Sequence, residues 1–127
     1  MAQFIRVLIA DDYARSRSGL RALLATWPQV EVIGEAVNGQ EALHQVTECR
    51  PDVVLMDARM PLMDGLEATR LIKRQWPEVK IVILSIYNSY RIEALAAGAD
   101  AFLIKGCPGK ELLAAILNGE PDHSFIP

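Results

Sequence analysis

Polar side chains follow four short apolar runs of the sequence, each at the point where the run ends. These residues are Asp11 and Asp12, Asp57, Ser85 and Lys105. Carboxylates that lie close together repel one another, and a divalent cation relieves that repulsion. A site with oxygen ligands only, few of them protein carboxylates, suits Mg²⁺. A hydroxyl and an ammonium group facing such acids would orient and neutralise phosphoryl oxygens, so these residue types indicate phosphoryl chemistry.

Asp57 is the predicted nucleophile of this set. A carboxylate can accept a phosphoryl group covalently, as an aspartyl phosphate. Asp57 has acids before it in the chain and Ser85 and Lys105 after it. Each residue also has an ordinary explanation when it is taken alone. Asp11 and Asp12 could cap a helix, Asp57 and Ser85 could lie in turns, and Lys105 could lie on the surface, so the constellation carries the prediction.

Five short runs predict the strands that would position these residues. Four runs are continuous and rich in β-branched residues, which indicates strands buried on both faces of a parallel sheet. They are residues 7–10, 53–56, 81–84 and 101–104. The fifth, residues 30–33, is interrupted by Glu31, and this partial alternation indicates an edge strand.

The segments between and after these runs have apolar residues at helical spacing. The pattern is carried by Leu20, Leu23, Leu24 and Trp27; by Ala42, Leu43 and Val46 after an Asn38–Glu41 capping pair; by Leu66, Thr69, Ile72 and Trp76; by Ile92, Leu95 and Ala96; and by Leu112, Leu113, Ile116 and Leu117. Strand and helix thus alternate five times, which predicts an α/β fold with helices on both faces of a doubly wound parallel sheet. Ligands of such sheets bind at the carboxyl ends of the strands, where we expect the five polar residues to converge.

Composition excludes several other classes of protein. A chain of 127 residues suits one domain. The net charge of -3 argues against nucleic-acid binding by this chain alone. Its apolar runs are far shorter than the roughly 20 residues that span a bilayer, and its first residues do not resemble a signal peptide. We therefore expect a cytoplasmic protein with no membrane partner, in which Cys49 and Cys107 are reduced thiols.

Five segments resemble the receiver domain of two-component response regulators. The resemblance covers about residues 4–119, and it is specific because all five segments occur in order. It predicts a receiver domain over 1–119 and a linker or tail over 120–127. It also implies a flavodoxin-like sheet with strand order 2-1-3-4-5. The segments are Ala10–Asp12, Val54–Gly65, Ile83–Ser85, Gly98–Lys105 and Gly34–Leu43, the last of which resembles the NarL/LuxR-like branch whose receivers precede a helix-turn-helix output domain.

The resemblance implies a role for each matching acid. Asp57 would accept a phosphoryl group from the phosphohistidine of a sensor histidine kinase, or from a small phosphodonor. Asp12, Asp57 and the backbone carbonyl of Arg59 would bind Mg²⁺ directly, and Asp11 would assist through water. The domain would catalyse only its own phosphorylation and dephosphorylation, so it would not be an enzyme in the usual sense.

The resemblance also implies how the site communicates. Ser85 would hydrogen-bond the phosphoryl group and Lys105 would pair with it. Ser85 and Phe102 would act as switch residues, although Phe102 is equally well explained as plain core. The altered domain would then control an output, such as transcription. DNA would be bound only through an output domain absent from this chain, and a homodimer is left open as a further partner.

Four positions depart from the usual receiver pattern. Ile86 follows the serine where the family often has a small residue, so a bulky side chain there is expected to narrow access. Gly106 follows the lysine, so the cis Lys-Pro bond of many receivers cannot form, and the loop into the last helix is expected to differ. Arg59 and Tyr87 lie where the family tunes dephosphorylation, which predicts an altered phosphoryl lifetime.

Two other functions remain alternatives on the sequence alone. The first is a degenerate receiver that acts as a docking module. The second is a Mg²⁺-dependent phosphatase-like hydrolase, which in haloacid-dehalogenase-type enzymes would need two acids separated by one residue, whereas Asp11 and Asp12 are adjacent. A dinucleotide or flavin binder would need a phosphate loop rich in Gly or Thr after the first strand, and residues 12–16 do not supply one.

Overall fold

Residues 3–118, which the computed structural model describes, fold into five strands that alternate with five α-helices. The predicted domain boundary at residue 119 and the predicted tail over 120–127 lie outside the described residues. The strands are β1 (Ile5–Ala10), β2 (Val30–Ala36), β3 (Val53–Asp57), β4 (Lys80–Ser85) and β5 (Ala101–Ile104). The helices are α1 (Ala14–Leu24), α2 (Gly39–Cys49), α3 (Gly65–Gln75), α4 (Arg91–Ala96) and α5 (Gly109–Asn118), with a 3-10 turn at Asn88–Tyr90 before α4.

All five strands run parallel in one sheet with the order β2-β1-β3-β4-β5. This order confirms the predicted doubly wound fold. The chain starts at β1, moves outward to β2, and then crosses back to β3 on the other side of β1. The crevice at the carboxyl ends of β1 and β3 is therefore the point where strand order reverses, and ligands of open α/β sheets bind there.

The core has two layers because successive side chains of a strand point to opposite faces of the sheet. On one face, Leu8 of β1 joins a buried cluster with residues of α2, α3 and α4. On the other face, Val7 and Ile9 join a second cluster with residues of α1 and α5. Each fully buried Leu or Ile side chain contributes roughly 1.5–3 kcal/mol to stability, so the continuous apolar runs fix the central strands.

Local signals set the start of α2, as the capping pair predicts. The Asn38 side chain accepts a hydrogen bond of 2.8 Å from the backbone N–H of Glu41. The Glu41 carboxylate in turn accepts from the backbone N–H of Val37, at 3.0 Å, instead of from Asn38 itself. The pair is thus a variant of the capping box that satisfies two backbone donors at the helix start.

The edge strand β2 is longer than its predicted range of 30–33. It pairs with β1 through a register shift that passes over Ile33, since Val7 lies opposite Val32 and Leu8 opposite Gly34. Such a bulge interrupts the alternation from which strands are predicted. After the bulge, β2 continues to Ala36. The exposed side chain of Glu31 agrees with the predicted edge position.

Three helices differ from the predicted apolar spacing, α1 and α3 at their ends and α4 in the face that it buries. Trp27 and Trp76 lie just beyond α1 and α3, because the proline that follows each of them disfavours helical geometry. Both side chains still pack against the core. Helix α4 forms where it is predicted, but Ala94 is its buried residue, while Ile92 and Leu95 are 80% and 47% exposed. The apolar residues Ile92 and Leu95 thus lie on the exposed face of α4.

Candidate functional site

The polar residues that follow the apolar runs lie together at the carboxyl edge of the sheet. Asp11 and Asp12 follow β1, Asp57 ends β3, Ser85 ends β4 and Lys105 follows β5. Strand pairing brings the neighbouring ends into register, with Asp57 opposite Leu84 and Ser85 opposite Ile104. The parallel topology therefore gathers residues that are up to 94 positions apart in the sequence.

Three carboxylates form the acidic part of the site. One oxygen from each of Asp11, Asp12 and Asp57 lies within 4.8 Å of the others. Asp11 is buried, Asp57 is partly buried and Asp12 is exposed. Both oxygens of Asp11 are already engaged, one by the backbone N–H of Tyr13 at 2.9 Å and the other by Lys105. Asp12 and Asp57 thus have more oxygen capacity left for a ligand than Asp11 has.

The ammonium group of Lys105 joins two of these acids. Its Nζ donates to Asp11 Oδ2 at 2.8 Å and lies 3.4 Å from Asp57 Oδ2. Burial alone would lower the pKa of Lys105, but the hydrogen bond to Asp11 and the charge of Asp57 outweigh it and raise the pKa. Lys105 is therefore a fixed positive charge beside the central carboxylate at neutral pH.

The pKa of the central carboxylate, Asp57, is raised above its ordinary value. Burial raises the pKa of Asp57 to about 6, although the charge of Lys105 opposes that rise. The nearby charge of Asp11 raises the pKa further. Asp57 is therefore ionised at neutral pH, but its carboxylate is only partly solvated and is stabilised by the contact with Lys105.

Ser85 is 2% exposed, and its Oγ accepts a hydrogen bond of 3.0 Å from the backbone N–H of Tyr87. The serine hydroxyl hydrogen is a donor that this contact does not use. Phe102 is 1% exposed and belongs to the core, and the Arg91 guanidinium lies 4.9 Å from the centre of its ring. The structure thus places Ser85 at the carboxyl end of β4 and Phe102 in the buried core on β5.

The backbone at Arg59 borders the acidic cluster. Its N–H lies 3.5 Å from Asp57 Oδ1, and within residues 3–118 no hydrogen-bond donor reaches its carbonyl oxygen. The Nη1 of its side chain donates to the Tyr90 hydroxyl at 2.5 Å. The side chains of Asp57, Lys105 and Asp11 thus meet in direct contact, whereas Arg59 approaches them with its backbone.

Two glycines let the end of β3 and the loop that follows it lie close to the helices that flank them. A Cβ atom on Gly65, at the start of α3, would lie 1.9 Å from the carbonyl oxygen of Asp57. A Cβ atom on Gly39, at the start of α2, would lie 2.2 Å from the carbonyl oxygen of Met63. Real contacts at these distances are forbidden, so only glycine allows the backbone to approach this closely.

Ile86 and Gly106 are two of the positions that depart from the usual receiver pattern, and the structure shows the environment of each. Ile86 is 63% exposed, so most of its side chain contacts solvent. Every peptide bond across residues 3–118 is trans, and Gly106 adopts a φ of 87°, a left-handed conformation that favours glycine. The loop after Lys105 therefore differs from one built on a cis proline, as expected.

Sequence reasoning missed two residues that support the site. Ser16 Oγ lies 3.4 Å from the Lys105 Nζ, and Arg17 donates to the backbone carbonyl of Asp11 at 2.8 Å. Arg17 is itself held by Glu35 of β2. Both residues lie in the first turns of α1, where exposed polar residues are ordinary, so their types and spacing carried no signal.

A doubly wound parallel sheet with three acids, a lysine and a buried serine at its carboxyl edge defines the class of this protein. The chain belongs to the response regulator receiver domain family, whose model matches residues 7–117. This finding supports the receiver interpretation and does not support the phosphatase-like alternative. Receiver domains are typically not enzymes in the usual sense.

Curated relatives agree with the family. The chain is 42% identical over 111 residues to the uncharacterised transcriptional regulatory protein YhcZ of Bacillus subtilis, covering 86% of this chain and 52% of that protein. It is 40% identical over 114 residues to the response regulator GacA of Pseudomonas viridiflava, covering 88% and 53%. The chain thus spans about half the length of these relatives.

Solved structures show the same fold. The response regulator domain of Thermotoga maritima CheB matches with a TM-score of 0.85 and 33% identity, covering 92% of this chain and 96% of that one. The receiver domain of a NarL response regulator from Mycobacterium tuberculosis matches with a TM-score of 0.83 and 32% identity, covering 91% and 94%. Homology thus extends to the NarL/LuxR type, as the sequence predicts.

Over residues 3–118 the structure has no helix with the length and apolar character needed to cross a membrane.

Proposed function

We propose that Asp57 accepts a phosphoryl group and that this modification switches the domain. The observation that carries the proposal is the position of the Asp57 carboxylate. It is partly buried at the end of β3, within 4.8 Å of two other carboxylates and 3.4 Å from the Lys105 ammonium. A nucleophilic carboxylate, a cation and a cluster of acids are the groups that phosphoryl transfer to an aspartate requires.

The donor set fits Mg²⁺. Asp12 and Asp57 supply carboxylate oxygens that have capacity to spare, and the Arg59 carbonyl accepts no hydrogen bond within residues 3–118. Hard oxygen ligands, few in number and open to water, are what Mg²⁺ prefers. We propose that these three groups hold the ion and that Asp11, whose oxygens are engaged, assists through water. When bound, the ion would supply neutralisation of the phosphoryl oxygens.

The remaining steps depend on this chain's own side chains. An oxygen of Asp57 attacks the phosphorus, the bond from phosphorus to the donor breaks, and the donor leaves with the bonding electron pair. Lys105 neutralises charge on the transferred oxygens, and the Ser85 hydroxyl donates to one of them. The new oxygens would draw Ser85 and Lys105 toward them and so shift the end of β4. That shift would bias the adjoining 3-10 turn and α4 between two arrangements, with Phe102 of β5 repacking beside them.

The phosphoryl source is a sensor histidine kinase or a small phosphodonor. Receiver domains as a family take phosphoryl groups from such donors. The relatives YhcZ and GacA are about twice as long as the matched region, and YhcZ is named a transcriptional regulatory protein. We propose that this domain likewise controls an output, and that this output is transcription. Any contact with DNA would then be made through an output domain outside this chain.

Intact-mass spectrometry tests the proposal. After incubation with Mg²⁺ and acetyl phosphate, we expect wild type to gain the mass of one phosphoryl group and Asp57→Asn to gain none. Asp52→Asn, at the opposite edge of the sheet, is the matched control and should gain the group as wild type does. Failure of wild type to gain the group, both from acetyl phosphate and from a histidine kinase, would overturn the proposal and favour the docking-module alternative.

A phosphoryl mimic gives a second measurement. Beryllofluoride should bind wild type only when Mg²⁺ is present, because the mimic needs both the Asp57 oxygen and a neutralising cation. Fluorine NMR would show a bound signal with Mg²⁺ and none without it. A bound signal in Asp57→Asn would contradict the assignment of the acceptor.

A further inference from the structure

The peptide at Arg59 has few backbone contacts to hold it in place. The preceding residue, Ala58, is fully fixed, since its N–H donates to Leu84 at 3.1 Å and its carbonyl accepts from Gly65 at 3.0 Å. At Arg59 itself the N–H makes only the long contact of 3.5 Å with Asp57. Its carbonyl oxygen accepts from no donor in the described part of the chain. A contact through the Arg59 side chain can therefore decide where this peptide lies.

That side chain is held by Tyr90, which is 31 residues away in the sequence. The Arg59 Nη1 donates to the Tyr90 hydroxyl at 2.5 Å, and the guanidinium lies 5.8 Å from the centre of the Tyr90 ring. Tyr90 is partly buried against the core cluster and also meets the Tyr87 ring edge-to-face, with a centroid distance of 6.2 Å. Tyr90 is thus a supported anchor for an arginine that is otherwise exposed.

Tyr90 also lies at the junction of the 3-10 turn and α4. The next residue, Arg91, begins α4, and its guanidinium covers the ring of Phe102 on β5. The two adjacent residues thus have different partners, Tyr90 contacting Arg59 in the loop after β3 and Arg91 contacting the buried ring of Phe102. A side-chain contact thus links Arg59 to the residue that directly precedes α4.

From these contacts we propose that Tyr90 is a positioning residue for the phosphoryl-transfer site. It acts through Arg59, whose side chain it anchors and whose backbone carbonyl it thereby presents to the cation. The inference rests on the proposed function, because it assigns a residue to the Mg²⁺ site of Asp12 and Asp57. Linkage makes the coupling reciprocal, so a cation at the site must alter the surroundings of Tyr90.

Calorimetric titration of Mg²⁺ into the phosphodonor-free protein tests the positioning role. Tyr90→Leu removes both the hydroxyl and the ring and should weaken Mg²⁺ binding about threefold, the effect of losing one exposed cation–π and hydrogen-bond contact. Tyr90→Phe keeps the ring and should lose less. Arg70→Gln removes an exposed arginine on α3 that pairs with Glu67, and as the control it should bind as wild type does.

A double-mutant cycle separates positioning from general loosening of the fold. Arg59→Gln keeps the backbone carbonyl but not the guanidinium, and it should also weaken Mg²⁺ binding about threefold. If the two residues act through one contact, Arg59→Gln combined with Tyr90→Leu should again lose about threefold, whereas independent effects would multiply to about ninefold. A ninefold loss, or full affinity in Tyr90→Leu, would overturn the inference.

NMR of the Tyr90 ring gives a readout that does not depend on phosphorylation. Adding Mg²⁺ to wild type should shift the Tyr90 ring resonances, and Arg59→Gln should abolish that shift while leaving Mg²⁺ binding measurable. A shift that persists in Arg59→Gln would contradict the coupling. If wild type binds no Mg²⁺ at all, the proposed function fails instead, so the two failures are distinguishable.

Discussion

Single charges set the properties of Asp57, the proposed phosphoryl acceptor, and the cation of Lys105 contacts it. The charge of Lys105 lowers the pKa of Asp57, against the burial that raises it to about 6. In Lys105→Met we therefore expect the pKa of Asp57 to rise above about 6. The measurement is a pH titration of the Asp57 carboxyl carbon by NMR without divalent cations. Lys110→Met, which removes an exposed lysine of α5, should leave the midpoint unchanged; a midpoint unchanged or lowered in Lys105→Met would contradict the prediction.

The raised pKa of Asp57 also predicts how stability depends on pH. The folded protein binds this proton more tightly than the unfolded chain does, since the pKa is about 6 when folded and 3.8 for the free side chain. Stability from this group is therefore lost as pH rises from about 4 to about 6, by at most about 3 kcal/mol. Asp57→Asn carries no charge there, so it should exceed wild type in stability at pH 7.5.

Urea unfolding at pH 4 and pH 7.5 without divalent cations measures this difference. The advantage of Asp57→Asn should be largest at pH 7.5 and should shrink to about 0.5 kcal/mol near pH 4, where Asp57 is protonated in the folded protein and about half protonated in the unfolded chain. Asp52→Asn serves as the control. An advantage that is constant with pH, or that grows as pH falls, would show that burial does not raise the pKa of Asp57.

At the scale of elements, the strands were predictable and the contacts between loops were not. Central strands such as β3 are continuous apolar runs, and because parallel strands end at one edge, the placement of Asp57 and Lys105 followed from their positions in the chain. The end of β2 was missed because a bulge breaks the alternation at Ile33. The contact of Arg59 with Tyr90 was missed because it depends on how a loop and a short helix pack, for which sequence spacing gives no signal.

The close approach of α3 to β3 predicts a sharp effect at Gly65. A Cβ atom there would meet the Asp57 carbonyl oxygen at 1.9 Å, so Gly65→Ala must push the start of α3 away from Asp57. We expect a loss of about 2 kcal/mol in the free energy of unfolding, as for other overpacked sites. Gly19→Ala is the control, because nothing lies within 4 Å of a Cβ atom there and the site is inside α1.

Urea unfolding of both variants distinguishes packing from general glycine effects. Gly19→Ala should gain up to about 1 kcal/mol from helix propensity, since alanine replaces glycine in a helix interior. Gly65→Ala should move in the opposite direction and should also weaken Mg²⁺ binding. Equal stability changes in the two variants would contradict the close approach that the structure shows.

At the scale of the whole molecule, repulsion within the acidic cluster lowers the stability of the fold, and the same carboxylates form a site that can bind a cation. Three carboxylates and one lysine gathered at one edge leave excess negative charge, while both faces of the sheet are covered by apolar helices. The exposed apolar residues Ile92 and Leu95 lie on α4, the element that follows the end of β4. An exposed apolar face thus lies on the helix that follows β4, where the proposed phosphorylation would change the surface.

Relief of the excess charge predicts that Mg²⁺ stabilises the whole domain. A ligand that binds only the folded state stabilises it by RT ln(1 + [L]/Kd), about 1.4 kcal/mol at ten times Kd. For a domain of this size that corresponds to a rise of about 5 °C in Tm. Differential scanning calorimetry at pH 7.5 and constant ionic strength should show this rise in wild type. Asp57→Asn and Asp12→Asn should show a much smaller rise, and a full rise in both would mean that Mg²⁺ binds elsewhere on the chain.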